Sequence, residues 1–146
     1  MRALNLYVLL FLGWALAMMN NSSEAAKDGP FEAARREVHI VNGLSPGRML
    51  FAHCKSKDDD LGEHNLAVGQ EFSWSFKFNF FGTTLYWCDT HTDHQHAAFN
   101  VYWHKQWLED RCDERSCIWT AKDDGFYLKN IPENRDELIH KWEEGL

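Results

Sequence analysis

The chain has 146 residues, 22 acidic against 15 basic side chains, a formal net charge of −7, and four cysteines. That length suits a single domain. The acidic balance argues against nucleic acid as a partner and against an anionic membrane surface.

Residues 1–17 read as a secretory signal peptide. Arg2 supplies the positive start, Leu4 to Leu16 is an apolar run broken only by Asn5 and Gly13, and Ala15-Leu16-Ala17 offers a small-residue cleavage site. The run is too short for a spanning helix, and no later segment is apolar enough to insert in a bilayer. The expected localisation is therefore secreted and extracellular. Residues 18–37 have little apolar pattern and read as a flexible N-terminal extension. This segment holds two overlapping sequons, so Asn20 or Asn21 is a candidate glycosylation site in a secreted glycoprotein.

From Val38 the pattern turns strand-like. "VHIVNGL" alternates, "SPGR" at 45–48 is a turn, and "MLFAHC" follows as a second strand. "DDDLGEHNLAVGQ" reads as a long polar loop. Phe72, Trp74, Phe76, Phe78 and Phe80 then alternate with polar residues, a period of two that gives one aromatic face and one wet face. "TTLYWC" and "AAFNVYW" are further strands. "CIWTA" and "FYLKN" flank Lys122-Asp123-Asp124-Gly125, and Asp-Gly between two aromatic runs signals a hairpin. Residues 131–146 form a C-terminal tail in which Leu138, Ile139 and Trp142 have helical spacing. A short helix and a frayed end are both open for it.

Cysteine usage agrees with secretion. Cys54, Cys88, Cys112 and Cys117 are an even count in a small chain, which implies two disulfides. An all-cysteine zinc site normally shows paired C-x2-C spacing, which is missing here. Three connectivities are open, and we expect Cys54–Cys117 with Cys88–Cys112. About seven short strands, regular turns and two staples describe an all-β fold. It is a small antiparallel β-sandwich of immunoglobulin-like type over 38–130.

Two polar clusters carry candidate chemistry. Asp58, Asp59 and Asp60 can bind calcium, but they are contiguous rather than alternating, and Lys55 and Lys57 stand beside them. A charged turn with capping aspartates is the competing reading. His91, His94 and His96 with Asp89 and Asp93 resemble a zinc or copper ligand set, against incidental histidines in a loop. Neither cluster is specific enough to assign a metal. No nucleophile elbow, zinc-protease motif or free cysteine is present, so the chain reads as no enzyme and needs no cofactor. Trp74, Trp87 and Trp119 lie in strands and are expected in the core. Trp107 and Trp142 are either partner anchors or packed under their segments.

The blocks "VHIVNGL" (38–44), "HCKSKDDDLG" (53–62), "TLYWC" (84–88), "CIW" (117–119) and "DDGFY" (123–127), in that order, resemble the plant self-incompatibility S-protein family. The resemblance covers Val38 to about Ile131. The four cysteines match the family's four. His53, Lys55, Ser56, Asp59, Asp60, Leu61 and Gly62 match its most recognisable block. The resemblance implies small secreted plant proteins with two disulfides and a β-sandwich fold. The family's founding members are stigma-secreted ligands recognised at the pollen surface, where they trigger calcium signalling that arrests self pollen. An extracellular signalling or recognition ligand for a cell-surface protein receptor is therefore implied. Its recognition surface is expected in the loops 55–65, 89–96 and 104–116. The alternative is an extracellular carbohydrate- or metal-binding wall or defence protein using Trp107 and the histidine loop.

Overall fold

The computed structural model describes residues 35–79 and 81–145. The expected signal peptide and the sequons at Asn20 and Asn21 lie outside them. Ten strands and one helix follow in order: β1 (Arg35–Asn42), β2 (Leu50–Ser56), β3 (Asp60–Leu66), β4 (Glu71–Lys77), β5 (Leu85–Thr92), β6 (Gln95–Trp103), α1 (Gln106–Arg111), β7 (Ser116–Lys122), β8 (Gly125–Asn130), β9 (Arg135–Lys141) and β10 (Glu143–Glu144).

The strands make two five-stranded sheets, β4-β1-β7-β8-β9 and β10-β6-β5-β2-β3. The expected all-β sandwich is thus present. The pairing is antiparallel with one correction: β1 and β7 run parallel at the centre of the first sheet. A parallel pair needs a long crossover, and β2, β3, β5 and β6 of the second sheet are threaded between these two strands. Alternation sets the inward face. Val38 and Ile40 of β1, Leu50, Ala52 and Cys54 of β2, and Trp119 and Ala121 of β7 are all buried. Phe76 of β4 meets Tyr86 and Tyr102 at ring-centre distances of 4.7 and 4.8 Å, so aromatic rings bridge the two sheets. Trp119 is fully buried, and its indole N–H donates to the Val101 carbonyl of the opposite sheet at 2.9 Å.

The disulfides correct the expected connectivity: the bridges are Cys54–Cys88 and Cys112–Cys117. Cys54 and Cys88 are direct register partners on neighbouring strands β2 and β5, both facing inward, with Cα atoms 4.0 Å apart. Cys112 is the C-cap of α1 and Cys117 the second residue of β7, so their bridge closes a tight turn. A Cys54–Cys117 link would have to cross between sheets and break both local arrangements.

Three segments depart from the sequence reading. The extension expected to 37 already becomes strand at Arg35, because β1 pairs β4 from Arg35↔Lys77 onward. The tail is no helix: Arg135–Lys141 forms β9 against β8, and Glu143–Glu144 forms β10 against β6. Strand pairing wins because His140 then stacks on Phe99 at 4.4 Å while Trp142 packs on Phe126 and donates to the Lys122 carbonyl. Burial lowers the His140 pKa. Gly125 permits that closeness, since a Cβ there would collide with the His140 carbonyl oxygen. The third departure is α1, in a stretch read as polar loop. Its support is of the i, i+4 kind: Gln106 donates to Asp110 at 2.6 Å, and the Arg111 guanidinium lies 4.1 Å from the Trp107 ring centre.

α1 also brings a charge into the core. Arg36 Nε donates to Glu109 Oε2 at 2.8 Å, both side chains are nearly buried, and the Tyr102 hydroxyl donates to Glu109 Oε1 at 2.5 Å. Burial and the neighbouring Glu109 carboxylate push the Tyr102 pKa well up. Asn42, also buried, donates to the Arg48 and Leu66 carbonyls and accepts from Leu44 N–H, fixing the way out of β1.

Two outcomes are expected. Glu109→Leu leaves Arg36 buried without its carboxylate and should cost about 3–5 kcal/mol in denaturant unfolding, far more than an exposed ion pair such as Arg135–Glu133. Replacing Cys54 and Cys88 by Ser should cost about 4 kcal/mol, and replacing Cys112 and Cys117 about 2 kcal/mol, because the first bridge closes the longer loop.

Candidate recognition surface

The block "HCKSKDDDLGEH" is not the start of a long loop. It is a hairpin: β2 turns over residues 57–59 and returns as β3. The strand was obscured because β3 is an edge strand, polar on its outward side and interrupted by Gly62 at φ 82°. Asp59 N–H donates to the Ser56 hydroxyl, and Ser56 N–H donates to the Asp59 carbonyl, so the turn closes on its own backbone. Asp60 accepts from Gly62 N–H at 2.9 Å and lies 2.6 Å from His53 Nε2. The Gly62 N–H, helped by His53, holds its carboxyl below the ordinary carboxylate pKa. Asp60 therefore acts as the capping aspartate of a turn. Lys57, Asp58 and Asp59 project from the turn, and Lys55 points outward from β2.

The histidine segment is also strand. β5 runs on to Thr92 and β6 begins at Gln95, leaving only Asp93 and His94 in the turn. Pairing across this hairpin puts His91 opposite His96. The register then lines up Asn65, Phe51, His91, His96 and Glu143 in one row across the outward face of the second sheet. His91 stacks on Phe51 at 4.3 Å; His96 Nδ1 lies 2.7 Å from the Gly145 carbonyl and its Nε2 lies 2.9 Å from Glu143. His94, in the turn, offers its carbonyl to Gly145 N–H. His91 and His96 therefore share one row of the sheet face, while His94 stands in the turn. Among the described residues no group of three or more His, Cys, Asp or Glu side chains is placed to hold a metal ion.

In the 104–116 segment, Trp107 lies half-buried on α1, stacked on Trp103 and covered by Arg111. Arg111 is held in turn by Glu137 of β9 at 2.6 Å. Trp142 is buried, Trp119 is core and Trp74 packs against the core, as expected for residues on inward faces. Trp87 corrects the sequence reading: its neighbours Tyr86 and Cys88 point inward, so it faces out beside Lys55 and Asn100.

The segment that sequence reasoning missed joins β4 to β5. β4 ends at Lys77, short of the full aromatic repeat, and Phe81 is 91% exposed. Asn79 organises this loop. Its side-chain oxygen accepts from Phe81 N–H at 2.9 Å, its amide donates to the Thr83 hydroxyl at 2.7 Å, and its carbonyl accepts from Gly82 N–H. The signal was present as "NFFG", an Asx turn followed by Gly, but the period-two aromatics ran over it. The loop faces the β2–β3 turn across an open cleft of about 600 Å³. Asp58, Asp59 and Lys57 form one wall, Lys77, Asn79 and Thr83 the other, with Phe76, Tyr86 and Trp87 among its lining.

These features define a small β-sandwich stapled by two disulfides, with charged turns and half-exposed aromatics carried on a rigid frame. Comparison with known proteins names the group: the chain belongs to the plant self-incompatibility protein S1 family, whose description matches residues 37–142. It is 49% identical over 109 residues to S-protein homolog 1 of Arabidopsis thaliana, covering 75% of this chain and 72% of that one. It is 38% identical over 93 residues to Self-incompatibility protein S1 of Papaver rhoeas, covering 62% and 66% of the two chains. A solved structure described as an SPH protein, from a family of small, highly stable, secreted plant proteins, matches with TM-score 0.55. The match is 20% identical in sequence and covers 75% of this chain and 96% of that chain.

The lowered carboxyl pKa values give a pH signature. Asp60, Asp123 (held down by Ser45, then Arg48) and Glu137 (held down by Arg111) stay ionised to lower pH when folded than when unfolded. Their stabilisation is present above the ordinary carboxyl pKa values of about 4 and is lost as pH falls through their lower folded values. Tm measured from pH 5 to pH 2 should fall less steeply in Asp60→Asn than in the unaltered chain.

Proposed function

We propose that this chain is a secreted ligand, recognised at a cell surface by a protein receptor. The single observation that carries the reading is membership of the plant self-incompatibility protein S1 family. The 38% identity to a chain named Self-incompatibility protein S1 supports it further. Secretion is supported by the apolar segment at 4–16, by the two disulfides and by the solved relative described as secreted. Glycan at Asn20 or Asn21 belongs to the same reading. No helix among the described residues is long and apolar enough to cross a membrane.

Packing supports recognition through the turns. The inward faces are spent on the core, and the half-buried Trp107 is already covered by Arg111. Among the groups left outward are the charged β2–β3 turn, the β4–β5 loop and the histidine row. A ligand of this build needs no catalytic centre: its disulfides hold these groups in place before the receptor arrives, which lowers the ordering cost of binding.

The test is direct. Labelled, oxidised protein added to plant protoplasts should bind saturably, and excess unlabelled protein should compete it off. Brief trypsin treatment of the protoplasts should abolish the signal. Binding that rises linearly with dose, or that survives trypsin, contradicts a protein receptor.

A further inference from the structure

Among the described residues the two sheets end in the edge strands β4, β9, β10 and β3. Three of these are guarded by charge. β3 has Glu63 at its middle beside Gly62, β9 carries Arg135, Asp136, Glu137 and Lys141, and β10 is two glutamates. Charges on an edge discourage another strand from pairing there. β4 differs: in "EFSWSFK" the charges stand only at the ends, Glu71 and Lys77, around an uncharged and proline-free centre. That centre, Phe72-Ser73-Trp74-Ser75-Phe76, reads the same in both directions, and the two ends carry opposite charge.

The backbone of this edge is open. Asn42 N–H donates to the Gln70 carbonyl at 3.0 Å, whereas Glu37 N–H donates to the Arg115 carbonyl just before β7. Even-numbered residues of β1 therefore bond toward β4 and odd-numbered ones toward β7. With Val38 opposite Trp74, it is Phe72, Trp74 and Phe76 that bond to β1. The N–H and C=O groups of Glu71, Ser73, Ser75 and Lys77 point away from the sheet, and no strand among the described residues pairs with them. β3 meets β4 through the stack of His64 on Phe72 at 3.7 Å, without a ladder between them. Glu71 lies 3.2 Å from His39 Nδ1 on β1, and Lys77 makes no ion pair among the described residues.

We propose that the open edge of β4 joins two copies of this chain about a two-fold axis at Trp74, making one continuous sheet. Antiparallel pairing centred there sets Ser73 opposite Ser75 of the second copy and Glu71 opposite its Lys77. All of these residues have their backbone groups on the open side, as such a ladder requires. Opposite charges across an antiparallel pair stabilise it, and like charges facing each other oppose it. The ends therefore select the register. A parallel pairing would set Glu71 on Glu71 and Lys77 on Lys77, and a shift of two residues would separate both charge pairs. On the inward side the half-buried Trp74 meets Trp74 of the second copy, and Phe72 meets Phe76, in aromatic cross-strand pairs. A two-fold contact uses the same patch on both copies, so association closes at the dimer.

The experiment is sedimentation of the full-length oxidised protein from micromolar to millimolar concentration. The unaltered chain should pass from monomer to dimer. Glu71→Lys alone and Lys77→Glu alone each set like charges opposite each other at both ends of the ladder, and each should weaken the dimer about tenfold or more. An equal mixture of these two variants restores the opposite-charge pairs between unlike copies, and the double variant restores them between like copies. Both should associate within about threefold of the unaltered chain. Glu71 and Lys77 are exposed, so circular dichroism should report one fold for all of these. Ser75→Pro removes an N–H that β1 does not use and should abolish the dimer; where it also disturbs folding, the charge exchanges decide alone. A chain that stays monomeric at millimolar concentration overturns the proposal. A dimer that the single exchanges leave intact, or that neither the mixture nor the double variant restores, overturns it as well. Hydrogen exchange identifies another occupant. The Ser73 and Ser75 amides should be protected only at concentrations where the dimer forms. Protection at every concentration would put another segment of the same chain on this edge and overturn the proposal equally.

Discussion

Between the two sheets lies Trp119, fully buried on β7, with its indole N–H on the carbonyl of Val101 in β6. One side chain thereby fills space in the interior and supplies a directed bond from one sheet to the other. Phe99, Phe126 and His140 pack around it or around each other, so the distance between the sheets is set by ring thickness. A smaller residue would leave both a void and an unpaired carbonyl. Every outward feature is fixed relative to this contact, because the turns at both ends are the places where strands leave these two sheets.

The second sheet carries most of the displayed chemistry. Cys54–Cys88 ties its middle strands, and their outward neighbours are His53, Lys55, Trp87 and Asp89. A bridge between register partners prevents a slip of one residue, which would turn every inward side chain out. The same bridge therefore fixes which side chains face a partner. The buried Arg36–Glu109–Tyr102 cluster does the corresponding work for α1, locating the helix against β1 by direction as well as by burial.

How far the sequence could be read depended on whether local pattern and tertiary pairing agreed. They agreed for β1, β2, β4, β7 and β8, where alternation, β-branched residues and the Asp-Gly turn point one way. They disagreed at β3, where an edge strand has only one neighbour to hide its polar side. They disagreed also at β9, where Leu138 and Ile139 sit at helical spacing but β8 offers a strand partner. Of the candidate site residues, Lys55, His91 and His96 come together on one sheet face, while Lys57, Asp58 and Asp59 crown the turn beside it. His94 and Trp107 stand apart from them. Phe81 follows a period-two aromatic run that obscured the end of β4 at Lys77. The Cys54–Cys88 bridge could not be read from spacing, because it depends on β2 lying beside β5, and strand order is a property of the whole fold.

The parallel pairing of β1 with β7 bears on the order of assembly. β1 has two neighbours in its sheet, β4 and β7, and Val38 finds Cys117 across nearly the full length of the domain. The second sheet can grow from hairpins, β2 with β3 and β5 with β6, each closed over a few residues. The first sheet has local starts on its β7–β8–β9 side, but β1 pairs only the distant strands β4 and β7. Its opening strand must wait until β7 has been made, and during synthesis it stays unpaired on that side for about eighty residues. The N-terminal strand of the domain is thus among the last to be locked, and the chain enters its native state by closing around its own beginning.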